Sequence, residues 1–303
     1  MKYIYKYGHA KINLALDITG KLDNGYHAIS TVMQSLALFD TLYIKKVYKP
    51  DYLKLVSNLH WLPNDERNLV WQAASYLIKR FAIKEGVFIS IEKNIPASAG
   101  LAGGSADCAA TLLGMRTLFK LPLSDDELSR ISVRFGADVP FCVKRGCVHA
   151  GGIGEVLTPL AKLPPMYILV ARPLVSASTA TIFANYDDSK VTHRPDIARM
   201  LRGIENENLT DIVGAMGNVL ESVTIARHPI INDFKEFMLE HGALGAMMTG
   251  SGPAVFGIFE TEQAAIDAYD ALITAYPDTK EIFVTTTYYP EGKNIRLELF
   301  SAD

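Results

Sequence analysis

The segment Pro96-Ala97-Ser98-Ala99-Gly100-Leu101-Ala102-Gly103-Gly104-Ser105-Ala106-Asp107 decides how this chain is read. Gly100, Gly103 and Gly104 carry no side chain that would keep a ligand away from the backbone. Before the segment, VFISIEKN (87–94) has strand character. After it, SADCAATLLGMRTLF (105–119) spreads Ala106, Ala109, Ala110, Leu112, Leu113 and Met115 round most of a helical wheel. A helix buried on several sides is therefore expected to begin near Ser105. Its first turn would aim unpaired N–H groups and a partial positive charge at the loop, an arrangement that suits phosphate. Taken alone, the same residues also satisfy a plain strand-to-helix turn packed with small side chains. Two common phosphate loops are excluded, because no Gly-Lys-Ser/Thr ending follows and the glycine spacing is not that of the dinucleotide fingerprint. Gly151-Gly152-Ile153-Gly154 fails that fingerprint too, with Leu157 in place of its last glycine.

Outward from the loop, residues 2–18 and TVMQSLALFDTLYIKKV (31–47) alternate roughly between apolar and polar and predict strands. NDERNLVWQAASYLIKRF (64–81) predicts an amphipathic helix with Asn64 and Asp65 in capping position. Ser124 to Glu127 has the capping-box pattern and opens a helix that Gly136 stops. PLAKLPP (159–165) sets three prolines round a short stretch and marks a boundary near residue 160, dividing the chain into 1–160 and 161–303. Beyond it come the strand MYILVA (166–171) and the helix PIINDFKEFMLEHG (229–242). Two strands about a Gly-Ser-Gly turn (243–259), the helix EQAAIDAYDALITAY (262–276) and the strand EIFVTTTYY (281–289) complete an α+β second half.

A length of 303 residues exceeds one usual core, which predicts two domains. With 49% hydrophobic and 21% charged residues the composition is that of a globular enzyme. The net charge of −3 argues against a general electrostatic grip on nucleic acid or anionic membrane. Cys108, Cys142 and Cys147 have no paired spacing, so neither a disulfide framework nor a zinc site is indicated, and a reducing, cytoplasmic setting fits. The first 18 residues lack the apolar core of a signal peptide, and Arg172 with Pro173 cuts the most apolar later stretch. The seven histidines have no ligand spacing, no carboxylate cluster defines a metal cage, and Cys147 with His149 reads as packing.

The loop resembles the central motif of the GHMP kinases, which bind ATP phosphates with a proline-initiated glycine-serine loop before a helix. The resemblance runs almost end to end. AKINLALDITGKLDNGYHAISTVMQSLALFD (10–40) is similar to the family's opening Ala-Lys-x-Asn-Leu and Asp-Gly-Tyr-His segments. FGADVPFCVKRG (135–146), GGIGEVLTPL (151–160) and MMTGSGPAVFGIF (247–259) are similar to its Asp-Val-Pro-Phe, Gly-x-Gly-Glu and C-terminal glycine motifs. The Tyr-His and Asp-Val-Pro-Phe segments point to the branch whose substrate carries a cytidine diphosphate tail. His9, in place of the usual proline, and Ala106, in place of a frequent second serine, depart from the pattern.

The resemblance implies a two-domain α+β fold, with an N-terminal domain like domain 2 of ribosomal protein S5 and a ferredoxin-like C-terminal domain. It implies ATP as co-substrate, with the Mg2+ that ATP carries, and ATP phosphates held by Pro96 through Ala106. It makes Lys11 and Asp138 the catalytic pair, one countering charge and the other facing the acceptor hydroxyl. Read singly, Lys11 is equally a charge at a strand end and Asp138 a turn residue. Asn13 lies two residues beyond Lys11, so on a strand both side chains share a face. Tyr26 and His27 have the form of a base-recognition pair, Phe183 matches a second aromatic wall or else packs in the core, and Thr179 lies near the tail. A homoserine- or mevalonate-type relative would keep the ATP loop without needing those aromatics. A ligand sensor without turnover would not need both Lys11 and Asp138.

Overall fold

The computed structural model describes residues 1–23, 25–279 and 281–290. The front of the chain forms β1 (Tyr3–Lys21), β2 (His27–Val47), β3 (Leu53–Ser57), α1 (Leu69–Arg80) and β4 (Gly86–Glu92). Then come α2 (Gly103–Phe119), α3 (Asp125–Ser132), α4 (Val139–Lys144), β5 (Cys147–Gly151), β6 (Val156–Pro159) and β7 (Tyr167–Ala171). The rest holds α5 (Thr179–Ala184), α6 (Ile197–Glu205), α7 (Leu209–Gly214), β8 (Gly217–Asn218), α8 (Glu221–Arg227) and α9 (Ile230–Glu240). The last elements are β9 (Gly245–Met248), β10 (Val255–Phe259), α10 (Glu262–Ala275) and β11 (Ile282–Thr286). The mixture is the expected α+β.

One compact unit gathers Met1–Ala10, Phe39–Ala97 and Ala102–Lys144. Here β3 runs parallel to β4, and β4 runs antiparallel to the end of β2, with Thr41 opposite Glu92 and Val47 opposite Gly86. The period of two in β2 turns Leu42 and Ile44 wholly inward while Lys45 faces solvent. Every residue of α2 from Ala106 to Met115 is buried, because its alanines and glycine let α1 and α4 pack closely on different sides. The helix starts at Gly103, two residues before the expected point. Helix α1 corrects another expectation: its cap is Asn68, whose Oδ1 accepts the Val70 N–H at 2.9 Å. Asp65 instead binds Arg67, at 2.7 Å from Nη2, and residues 64–67 are spent in a turn before the helix. The capping box of α3 forms as expected, with Ser124 and Glu127 bonded reciprocally.

The second unit gathers Lys11–Leu38, Ser98–Leu101 and the chain from Arg145 onward. In it β1 pairs in parallel with β8 at Ala15 and Leu16, β2 pairs with β5 at Thr31 to Gln34, and β5 pairs with β6. A separate four-stranded sheet has the order β11-β7-β10-β9, antiparallel throughout. Helices α9 and α10 pack on that sheet. A strand, a helical crossover, a hairpin, a helix and a last strand in this order give the ferredoxin-like arrangement. Its core includes Leu169, Val255, Phe259, Phe234, Met238, Leu272 and Val284. Burial of these apolar faces is the main stabilising contribution to the unit.

Candidate active site

The loop is anchored by its buried residues. Pro96, Ala99, Leu101 and Ala106 are buried, Ser98 and Gly104 are exposed, and Ala97, Gly100, Ala102, Gly103 and Ser105 lie between. Backbone φ is 52° at Ser98, 81° at Gly100 and 56° at Ala102. Positive φ at every second position fits the right-handed and left-handed alternation of anion-binding nests. At the two non-glycine positions that conformation costs about 1–3 kcal/mol each. Gly100 is obligatory for a second reason, since a Cβ there would overlap the carbonyl oxygen of Thr249. No side chain caps the N-terminus of α2, where Ala102 is the cap residue and Ser105 sits in the first turn. Ala106 is 1% exposed, so its side chain packs into the core instead of facing the loop's open side.

Lys93, just before the loop in the chain, and Asp107, just after it, belong to a cluster that sequence reasoning missed. Lys93 reaches Asp107 Oδ2 at 2.7 Å and also binds Asp40 Oδ2. Asp40 Oδ1 accepts the N–H groups of Asn94 and Ile95 at 2.6 and 2.8 Å, fixing the turn into the loop. Lys93 Nζ comes within 3.3 Å of where a Cβ on Gly103 would stand, so the ammonium lies close beside the first residue of α2. Burial by itself would lower the Lys93 pKa, but Asp107 and Asp40 outweigh it and raise it. Burial pushes the Asp107 carboxyl well above its ordinary range despite Lys93. Its Oδ1 is buried and accepts no hydrogen bond among the described residues. Asp138, half-buried in the same unit, precedes α4 and takes the Cys142 N–H on its carbonyl at 3.1 Å.

In the other unit Lys11 and Asn13 share a face of β1 as expected. Both are 3% exposed, and Lys11 Nζ donates to Asn13 Oδ1 at 2.7 Å. Asn13 Nδ2 donates to Thr31 Oγ1 at 2.8 Å, and the Asn13 N–H donates to Thr249 Oγ1 at 3.1 Å. The Lys11 N–H bonds the Leu101 carbonyl, and the Ala254 N–H bonds that of Ala99, each at 3.1 Å. The turn from Thr249 to Gly252 therefore supports Asn13 and the loop segment 98–101 together. Asn218, also missed, holds this turn: its Nδ2 donates to the carbonyls of Met248 and Gly250 at 2.9 and 2.8 Å. Nothing in local spacing announces Asn218, because its partners lie 30 and 32 residues away.

The same unit holds the proposed base readers. His27 and Phe183 come together, with ring centroids 5.7 Å apart, and Phe183 also packs against the unit's core. Tyr186, which sequence reasoning did not single out, stands edge-on to His27 at 6.0 Å. Tyr26 directly precedes β2 and is 61% exposed. Thr179 is exposed at the start of α5, its hydroxyl 2.8 Å from that of Ser251. A cavity of about 490 Å³ opens against His27 and Tyr186, bordered by Ile18, Thr19, Lys21 and Asp187. That volume lies in the range of small-ligand sites.

Cys108, Cys142 and Cys147 are buried thiols, and burial pushes Cys147 up to about 12. The His149 ring nitrogen lies 2.9 Å from Ser30 Oγ. Among the described residues no group of three or more His, Cys, Asp or Glu side chains is placed to hold a metal ion. None of their helices is long and apolar enough to cross a membrane.

Two family models match the chain, GHMP kinases N terminal domain over residues 68–146 and GHMP kinases C terminal over residues 193–278. A 4-diphosphocytidyl-2-C-methyl-D-erythritol kinase of Lachnoclostridium phytofermentans is 44% identical over 288 residues, covering 95% of this chain and 97% of its own. One from Caldicellulosiruptor saccharolyticus is 47% identical over 279 residues, covering 92% and 95%. A crystal structure of 4-(cytidine 5'-diphospho)-2C-methyl-D-erythritol kinase matches with a TM-score of 0.78 at 28% identity, covering 94% of this chain and 99% of that one. A homoserine kinase from Cytophaga hutchinsonii shares the fold, with a TM-score of 0.73 at 18% identity over 95% of each chain.

Proposed function

The chain belongs to the GHMP kinases, in the branch of the 4-diphosphocytidyl-2-C-methyl-D-erythritol kinases, and from that premise we propose how it works. It transfers the terminal phosphate of ATP to the 2-hydroxyl of 4-diphosphocytidyl-2-C-methyl-D-erythritol, giving the 2-phosphate and ADP in non-mevalonate isoprenoid precursor synthesis. The observation that carries this is the similarity to such kinases over nearly the whole chain, 44% and 47% identical in two of them.

Phosphoryl transfer passes through a loose transition state, so the protein mainly aligns the reactants and offsets charge. In this reading the backbone from Pro96 to Ala106 holds the ATP phosphates, with Mg2+ brought in by the nucleotide. Asp138 faces the acceptor hydroxyl and takes its proton as the oxygen attacks phosphorus. Lys11, held by Asn13, offsets the developing negative charge. Tyr26, His27 and Phe183 receive the cytosine end and Thr179 the tail. The division at residue 160 into an ATP-binding N-terminal part and a C-terminal part is supported by family models that fall on either side of it, although the second compact unit also takes in residues 11–38 and 98–101 and resumes at Arg145, and limited proteolysis within 159–165 tests it. Three buried thiols support a cytoplasmic setting.

A coupled ADP-release assay with the cytidyl methylerythritol substrate, homoserine, mevalonate, galactose and no acceptor tests the assignment. Turnover is expected with the first acceptor, and a faster reaction with homoserine or mevalonate would overturn the substrate reading. Asp138→Ala is expected to reduce turnover far more than ATP affinity. Lys11→Ala is expected to do the same, with losses that are less than additive in the double variant. Near-normal turnover in either single variant would remove that residue from the chemistry.

A further inference from the structure

Between α5 and α6 the chain is pinned where Arg194 leaves it. The His193 ring lies 2.9 Å from the Met216 carbonyl, and the Asp196 N–H bonds the Ala215 carbonyl at 3.2 Å. From this fixed point Arg194 donates to two carboxylates, Asp17 on β1 and Asp188. Asp188 also accepts the Tyr186 hydroxyl at 2.8 Å, and Arg194 Nη2 is 3.4 Å from the same phenol oxygen. The Tyr186 ring then meets His27 edge-on, at an interplanar angle of 80°. A continuous line of contacts thus runs from β1 through Asp17, Arg194, Asp188 and Tyr186 to the imidazole.

Fold stability does not account for the outer part of this line, from Arg194 through Asp188 to Tyr186. Arg194 and Asp188 have side chains 39% and 74% exposed, and ion pairs at such positions add little to stability. They do fix where an aromatic ring stands. Tyr186 also borders the cavity beside His27, so its position sets the space open next to the imidazole. An imidazole that reads a base edge must keep its plane, and a ring held edge-on to it by a hydrogen-bonded hydroxyl limits how far that plane can turn.

We infer that Tyr186 and Arg194 are positioning residues for recognition of the cytidine diphosphate end of the substrate, Tyr186 acting on His27 and Arg194 acting through Asp188 and Tyr186. This rests on the reading of His27 as a base partner. Isothermal titration with free CDP tests it in wild type and in Tyr186→Phe, Arg194→Gln, the double variant, Arg194→Lys and His27→Ala. ATP KM and thermal midpoint are measured alongside. Tyr186→Phe and Arg194→Gln break the same link, so each is expected to weaken CDP by about 2- to 10-fold, the size of one hydrogen bond. The double variant should be no weaker than the worse single one, Arg194→Lys should recover part of the loss, and ATP KM should stay at the wild-type value. A lowered midpoint with wild-type CDP affinity would mark the line as structural and overturn the inference. If His27→Ala loses CDP while Tyr186→Phe and Arg194→Gln keep it, the inference fails and the reading of His27 stands. If wild type does not bind CDP, or His27→Ala binds it fully, the reading of His27 fails and the inference falls with it.

Discussion

Lys93→Met removes the ammonium that separates two buried carboxylates. The side chains of Lys93, Asp40 and Asp107 are 5%, 0% and 4% exposed, so water cannot replace the lost partner. Asp40 keeps its two backbone N–H donors. Asp107 loses the ammonium on Oδ2, its Oδ1 has no hydrogen bond among the described residues, and it is left beside the Asp40 carboxyl, which raises its pKa further. Breaking one partner out of a buried ion pair costs about 3–5 kcal/mol. Proton uptake by Asp107 limits the loss, placing the expectation near 3 kcal/mol at neutral pH. Urea unfolding followed by tryptophan fluorescence measures it locally, since Trp61 and Trp71 lie in the same unit as the cluster. In the variant the folded state binds more protons than the unfolded one above the ordinary Asp value of 3.8, so its stability rises as pH falls toward that value. Adding Asp107→Asn removes the stranded charge and is expected to restore much of the stability. A loss below about 1 kcal/mol, against the 3–5 expected of a broken buried pair, would refute this account, as would further destabilisation by Asp107→Asn.

Gly100→Ala combines a left-handed φ with overlap on Thr249 and should weaken binding of a fluorescent ATP analogue, whereas an added Cβ at Gly104 meets nothing within 4 Å. Gly104→Val is therefore expected to fold like wild type, so a loss of analogue affinity there reports ligand approach, and full affinity in both variants would take the loop out of nucleotide binding. Phe183→Ala should raise KM for the cytidyl substrate by the equivalent of about 1–3 kcal/mol of stacking while ATP KM holds, and an unchanged substrate KM would leave Phe183 as a core residue. Burial and then the bond to Asp188 push the Tyr186 phenol up from 10.0 to about 12, so its stabilising effect is complete below pH 10 and is lost as pH rises through about 12. A phenolate absorbance titration in which Tyr186→Phe removes an ordinary tyrosine instead of the late one would contradict this.

The sequence announces whatever depends on neighbours in the chain. Three glycines before an alanine-rich run give the loop and α2, and Ser124 with Glu127 gives the start of α3, because turn geometry and capping act over three or four residues. Lys11 and Asn13 come out on one strand face for the same local reason. The cap of α1 is misread because Asn64, Asp65 and Asn68 are all good caps, and only in the folded chain is Asp65 engaged by Arg67 while Asn68 bonds the Val70 N–H and the Pro63 carbonyl. Lys93 with Asp40 joins residues 53 apart, and Arg194 with Asp17 joins residues 177 apart, separations at which no periodicity survives. Tyr186 looks like any surface tyrosine until folding brings His27 beside it. What escapes a reading of the chain is therefore mostly the support around the site, since the groups expected to touch ligands lie in short motifs.

The discontinuity of the second unit sets an order of events during synthesis. Residues 11–38 emerge early with Ile12, Leu14, Leu16 and Ile18, all of which are buried in the finished protein. One hydrogen bond that completes their setting, from Asn13 to Thr249, spans 236 residues. At translation rates of about 5–20 residues per second, Asn13 waits roughly 10–50 s for that partner. For that interval an apolar strand is open to wrong pairings, so the newborn chain should depend on holding chaperones more than its finished stability would suggest.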